Sequence, residues 1–401
     1  MQSNHIRDEW SAVKSAVHEL RWALHQRPEL GYQEHRTTQV IQEFLLKHGV
    51  ECKLFPETTG VVAFIDNKAA VTVGLRVDID ALPLEENTGH PQSSQNPGIM
   101  HACGHDMHAS IGAGVAILAS RLRQYMPVNV KVIFQPAEEC SPNGGAKKMI
   151  ALHVLEQPPV DYMLGLHVWP DYKVGEIGIR PGAIMAASDK FRIIVTGVSA
   201  HAAQPHKGTD SILIASEIVN AIYKGIPRKV DPFDPYVLTI GEISSRGRYN
   251  VICDHVEMSG TIRTFTAATR TSIHKWLADM VSQVAALHQG KAEVILERGY
   301  DVVSNDMTLT AQFTAHAQEV LGTAAVKTGN QPSLIAEDFS AYSQMVPSVY
   351  FHLGCDCQYP LHSDHFLANE EALDVGVELL TTFLLATQAA NGRNVSEKPA
   401  T

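Results

Sequence analysis

Met100-His101-Ala102-Cys103-Gly104-His105-Asp106-Met107-His108 puts a thiol, three imidazoles and a carboxylate into nine residues. Structural roles seldom need metal-binding groups at that density. Cys103 and His105 stand two apart across a glycine, and in an extended segment such residues point to one side. A thiolate beside an imidazole is the start of a zinc-type site. Two ligands do not complete one, so the fold has to bring the others from elsewhere in the chain.

Outward from the cluster, periodicity predicts helices over 10–26, 37–48 and 109–125, and strands over 61–65, 71–77, 128–134 and 162–168. Strands alternating with helices indicate an α/β domain with a largely parallel sheet. The pattern then changes. A strand over 190–198, a helix over 211–223, strands over 236–243 and 255–264, a helix over 269–288 and a strand over 292–298 follow the order β-α-β-β-α-β of a ferredoxin-like unit. From about Asn305 the α/β pattern resumes, with helices near 308–321 and 370–390 and a strand over 348–353. The expectation is a discontinuous domain, 1–187 plus 301–401, into which an α+β domain, 188–300, is inserted. Residues from about Asn391 read as a frayed tail.

Composition narrows the function. The 401 residues suggest about two domains. An apolar fraction of 45% with 19% charged residues fits a soluble globular chain. The net charge of −11, with no compensating basic block, argues against a nucleic-acid partner. No apolar run approaches the roughly 18 residues of a membrane helix, and no leader-like apolar core lies within Met1 to Trp10. Cys52, Cys103, Cys140, Cys253, Cys355 and Cys357 form no framework pattern, which predicts reduced thiols and a cytoplasmic location.

In α/β sheets, sites form where strands end at their carboxyl side. Asp78 and Asp80 follow one predicted strand, Glu138-Glu139 another, His167 closes a third and His362 follows a fourth. Singly, each has an ordinary explanation. Adjacent glutamates are usually solvated helix surface, a strand-end histidine usually belongs to the core or rim, and Asp78 and Asp80 can cap a turn with Pro83. Together they are ligands gathered at successive strand ends. Neighbours in an extended segment point apart, so one glutamate can ligate while the other serves as general base.

These residues carry a resemblance. The cluster, Arg76-x-Asp78-x-Asp80-Ala81-Leu82-Pro83, Gln135-Pro136-Ala137-Glu138-Glu139, Gly165-Leu166-His167-Val168, His201-Ala202-Ala203-x-Pro205-His206 and His25-Gln26-Arg27-Pro28-Glu29-Leu30-Gly31 resemble the aminoacylase/carboxypeptidase family of di-metal hydrolases. Within it they are similar to the branch of hippurate hydrolases, N-acyl-amino-acid amidohydrolases and auxin-conjugate hydrolases, over about residues 15–385. The resemblance implies a zinc-exopeptidase-like mixed sheet flanked by helices, with 188–300 as lid and dimerisation domain. It implies two divalent metal ions per subunit, zinc first, with manganese, cobalt or nickel as alternatives. Cys103 would bridge them, and His105, Glu139, His167 and His362 would complete the ligand sets. Glu138 would be the general base. Asp78 would orient a ligand histidine, with Asp80 its rival. His201 of one subunit would stabilise the oxyanion in the partner's site, and Asn250 and Arg263 would hold the substrate's carboxylate or nearby polar groups. Cys253 departs from the resemblance, standing where the family usually has proline, and Met107 stands where glycine is common.

The expected reaction is hydrolysis of the amide of an N-acyl amino acid or related conjugate, with dipeptidase or carboxypeptidase action as the alternative within the family. The expected partners are that small substrate and further copies of the chain, as a homodimer or higher homo-oligomer through the lid domain, with neither nucleic acid nor membrane. Two readings of a different class stand beside it: a cysteine-nucleophile hydrolase using Cys103, and a non-catalytic metal-binding protein.

Overall fold

Val130, Val132 and Ile133 on one strand and Val73, Leu75 and Val77 on the next are buried at almost every position, the signature of strands covered on both faces. The structure, a computed structural model, describes residues 2–387; the predicted tail lies outside them. The strands are β1 (Cys52–Leu54), β2 (Val61–Ile65), β3 (Thr72–Asp78), β4 (Asn129–Gln135), β5 (Tyr162–Trp169), β6 (Ile177–Gly178), β7 (Gly182–Met185), β8 (Ala187–Thr196), β9 (Tyr236–Ser245), β10 (His255–Thr264), β11 (Lys291–Arg298), β12 (Val303–Asn305), β13 (Val326–Lys327) and β14 (Ser348–Gly354). The helices are α1 (Gln2–His25), α2 (His35–Lys47), α3 (His105–Arg121), α4 (Gly145–Ala151), α5 (Ser211–Gly225), α6 (Ala267–Leu287), α7 (Met307–Leu321), α8 (Ser340–Ser343) and α9 (Glu371–Ala386).

The chain divides into two compact units. Of the described residues, the first comprises those up to 182, 304–330 and those from 341; the second comprises 183–303 and 331–340. In the first, eight strands run in the order β1-β2-β4-β3-β5-β14-β6-β13. The centre, β4-β3-β5-β14, is parallel throughout, while β2 and β6 pair antiparallel at its flanks. The sheet is therefore mixed, with the parallel expectation holding at its core. Parallel strands carry their carboxyl ends on one edge, and that edge holds the candidate site. Helix α3 is buried at every residue from His105 to Ala119. Its small residues permit this: a Cβ on Gly112 would come within 2.7 Å of Val77 Cγ2.

The second unit is an antiparallel sheet, β11-β8-β10-β9, covered by α5 and α6. Strand β8 buries Phe191, Ile193 and Val195 alternately. They pack with Ile214, Ile218 and Ile222 of α5 and Ile273, Leu277 and Val281 of α6. Spacings of four residues place each helical set on one face, and each such side chain contributes about 1.5–3 kcal/mol on burial. Among the described residues no helix is long and apolar enough to cross a membrane.

Candidate metal centre

Two local geometries differ from the extended ones expected. Cys103 and His105 do not share a strand face. Gly104 adopts φ +79° and His105 opens α3, so a left-handed turn aims the thiol and the imidazole together. Glycine alone takes that turn without strain. Glu138 and Glu139 lie in a turn after Ala137, a non-glycine residue at φ +58°. Their carboxylates do not diverge: both have an oxygen within 4.8 Å of a His105 nitrogen and of each other. His362 enters from a loop at φ +65°, its N–H donating to Ala102 O at 2.9 Å.

Cys103, His105 and His167 offer donor atoms all within 4.8 Å of one another, and Cys103, Glu139 and His362 form a second such set. The thiol belongs to both. His167 Nδ1 donates to Val168 O at 2.6 Å, which fixes the proton there and turns the Nε2 lone pair toward Cys103 Sγ, 3.2 Å away. His108 is excluded as a ligand although it lies in a third grouping with Asp78 and His105. Its Nε2 accepts from Val168 N–H at 2.8 Å and its Nδ1 bonds Asp78 Oδ1 at 2.5 Å, so both nitrogens are occupied.

The two aspartates divide their work. Asp80 Oδ1 bonds His105 Nδ1 at 3.1 Å, and its Oδ2 accepts from Glu139 N–H at 2.9 Å. Asp78 bonds His108 and accepts from Arg76 Nη1 at 2.7 Å; it lies 3.7 Å from His105 Nε2. The carboxylate at the far nitrogen of His105 is thus Asp80, in the place expected of Asp78. The fully buried Arg76 is a partner to which sequence reading gave no role. Its Nε also donates to Gln135 Oε1 at 3.0 Å. The Arg-x-Asp spacing on a strand puts both on one face and was the available signal. Asp106 is another such residue: its Oδ2 accepts from Arg21 Nε and bonds His25 Nδ1, each at 2.9 Å, tying α1 to the start of α3.

The residues present fit a metal. His105 Nε2 and Glu139 Oε1 are buried without a hydrogen-bond partner. His362 Nε2 stands 3.2 Å from that oxygen, at ion-pair distance only. Orphaned buried polar atoms are costly, and here they converge on a thiol and two imidazoles. The electrostatics agree. Burial, then Glu139, Glu138 and Asp78, push the Cys103 thiol well up. Burial lowers His105, but Asp78, Asp80 and Glu139 outweigh it and push it up to about 10. Burial and His108 hold His167 well below its ordinary value, as a neutral imidazole. The cluster draws positive charge, and a divalent cation is the charge that thiolate, imidazole and carboxylate together suit.

The remaining predicted residues lie in the second unit. His201 and Asn250 are brought together by a bridge between His201 and Val251, and Ala202 N–H donates to Asn250 O at 3.1 Å. His201 is exposed, and its Nδ1 accepts from Ala203 N–H at 3.1 Å, so the neutral ring carries its proton on Nε2. Arg263 is half-buried on β10 and donates to Thr261 Oγ1 and Ile262 O. The His201–Asn250 loops adjoin the start of β10, where Ile252 N–H bonds Ala200 O and Gly197 N–H bonds Asp254 O. Arg263 is eight residues beyond His255, roughly 26 Å along the strand. The structure does not bring Arg263 beside Asn250.

Residues 74–386 match the model of peptidase family M20/M25/M40. The chain is 36% identical over 370 residues to a probable hydrolase of Synechocystis, covering 90% of this chain and 93% of that one. It is 35% identical over 368 residues to the N-acetyl-L-cysteine deacetylase of Bacillus subtilis, covering 90% and 86%. Among solved structures it superposes at a TM-score of 0.82, with 30% identity and coverage of 94% and 98%, on a dinuclear metal binding peptidase of the M20 family from Bacillus subtilis.

Proposed function

The chain belongs to peptidase family M20/M25/M40, and from that premise we propose that it hydrolyses the amide of N-acyl amino acids at a two-metal centre, whose ions Cys103 would help to hold in common. It is a hydrolase of amide C–N bonds, like the deacetylases it is similar to. The observation that carries the two-metal reading is the Cys103 thiol common to two ligand triads. His105 and His167 would hold one ion, Glu139 and His362 the other. Zinc is the first candidate for both, with manganese, cobalt and nickel open. When bound, such a pair supplies a water of lowered pKa and a polarised carbonyl.

The protein's own groups account for the rest. Asp80 fixes the proton of His105 on Nδ1 and leaves Nε2 to the metal. Glu138, whose carboxylate lies beside those of the ligands, takes the proton of the attacking water and returns it to the amide nitrogen as the amine leaves. His201 Nε2–H donates to the oxyanion of the tetrahedral intermediate, and Asn250 and Arg263 hold the substrate's carboxylate side. Arg263 stands at the opposite end of β10 from His201 and Asn250. That separation supports His201 and Asn250 acting on a partner subunit's site, with residues 188–300 as lid and dimerisation domain. A cysteine-nucleophile reading is disfavoured, because burial holds the Cys103 thiol protonated without a cation. Six free cysteines among the described residues support a reducing, cytoplasmic location.

The test is Glu138→Gln, assayed on a panel of N-acyl amino acids and small dipeptides with each reconstituted metal. Metal content is expected to stay at two ions while turnover falls on every substrate. Unchanged turnover would remove Glu138 from the mechanism. A wild-type preference for dipeptides would replace the acyl-amino-acid reading with a peptidase one.

A further inference from the structure

We propose that Glu34 is a positioning residue for the turn that carries Glu138, which rests on Glu138 being the general base. Glu34 stands at the N-cap of α2, yet its side chain makes no capping bond. That work is done by Glu29, whose carboxylate accepts from Thr37 N–H at 2.7 Å and Arg36 N–H at 3.2 Å. The Glu34 carboxyl, fully buried, reaches across to the other loop instead. Its Oε1 accepts from Ala137 N–H at 2.8 Å and its Oε2 from Thr59 Oγ1–H at 2.5 Å.

Ala137 is the residue on which the direction of the turn depends. It holds φ +58°, a conformation that costs a residue with a Cβ and persists only where its surroundings enforce it. Within its own loop, Ala137 O accepts from Cys140 N–H and Gly145 N–H; from outside the loop, the support comes from residues 29–34. A Cβ on Gly31 would overlap Cys140 Sγ and come within 3.0 Å of Ala137 Cα. Tyr32 Oη–H donates to Asn143 O at 2.5 Å. Glu29 O accepts from Ala81 N–H at 2.9 Å, so the same segment also fixes the backbone beside Asp80. The segment lies against both acidic loops of the candidate centre, and Glu34 is its one side chain bonded directly to the residue before Glu138. A carboxylate displaced by about an ångström can lose a factor of 10² in rate.

The experiment compares Glu34→Ala, Glu34→Gln and Glu138→Gln in the metal-loaded protein, measuring kcat, KM, metal stoichiometry and thermal midpoint. Glu34→Ala is expected to lower kcat by roughly 10- to 100-fold at two bound ions and nearly constant KM. Glu34→Gln keeps an oxygen for Ala137 N–H and is expected to restore kcat to within a few-fold of wild type. If Glu34→Ala is too unstable to assay, Thr59→Val, which frees the other carboxyl oxygen, is expected to lower kcat in the same direction with KM constant. Wild-type kcat in Glu34→Ala overturns the proposal, and so does equal loss in the Ala and Gln variants tracking only the thermal midpoint. Glu138→Gln separates the two readings. If it stays active, the general-base reading fails, whereas a dead Glu138→Gln beside a fully active Glu34→Ala removes only the role of Glu34.

Discussion

The loops around Cys103 and the loops around His201 are both read as catalytic, and they are built in opposite ways. Around Cys103, His105 and His167 each have one nitrogen committed, to Asp80 and to Val168 O, and His108 has both committed, to Asp78 and the Val168 amide. These three rings are buried, while His362 reaches the set from an exposed position. Around His201 the side chains are exposed, and among the described residues the ring's hydrogen bond is the local one from Ala203 N–H. The contrast shows where pre-organisation is built in. A ligand set must be held before the metal arrives, because a misplaced ligand weakens every ion it shares. An oxyanion donor has only to arrive with the substrate, so it can sit on a surface that a second subunit completes.

Substituting the exposed side is expected to have the largest effect on rate. His201→Ala should lower kcat by about 10²–10³-fold while both ions stay bound, as steady-state kinetics beside metal analysis would register. Loss of metal together with rate would erase the distinction between the two regions. On the buried side, Asp80→Ala should weaken metal binding by about 10–100-fold, read by competition with a chelator. An Asp80 variant with wild-type metal affinity and lowered kcat would move Asp80 to the other side of the comparison.

The smallest effect sharpens what burial costs. His352 lies on β14 beside His167, stacked on Trp169 with ring centroids 3.8 Å apart, and its Nε2 has no partner. Burial lowers it from 6.5 to about 3. An unfolded histidine takes its proton below about 6.5, the buried one only near 3, so stability is whole above 6.5 and is lost as pH falls through that window. His352→Phe keeps the stack and should flatten that loss, seen as a smaller drop in thermal midpoint between pH 7 and pH 5. An unchanged drop would assign the acid sensitivity to other groups.

Much of this was legible in the sequence. β2 and β10 match their predicted spans, and β3, β4 and β5 begin or end within a residue of theirs, because branched apolar runs have few alternatives in a sheet. The family motifs named the residues that the two ligand triads bring together. What stayed hidden was backbone direction. The left-handed turns at Ala137 and His362 carry no residue that announces them, and they decide where Glu138, Glu139 and His362 point. Gly104 did announce its turn, and an extended reading passed over it. The choice between Asp78 and Asp80 is likewise a matter of which α3 histidine each meets: Asp80 bonds His105 and Asp78 bonds His108, one turn apart on the same helix.

The central claim is that one thiol serves two ions. Its most direct test is a count of metal ions bound per chain, by titration of the stripped protein followed by elemental analysis, in wild type, Cys103→Asp and Cys103→Ala. The account predicts two ions in wild type, two with altered metal preference in Cys103→Asp, where a carboxylate can bridge, and loss of both in Cys103→Ala. A single ion in wild type, or two ions retained in Cys103→Ala, would contradict it.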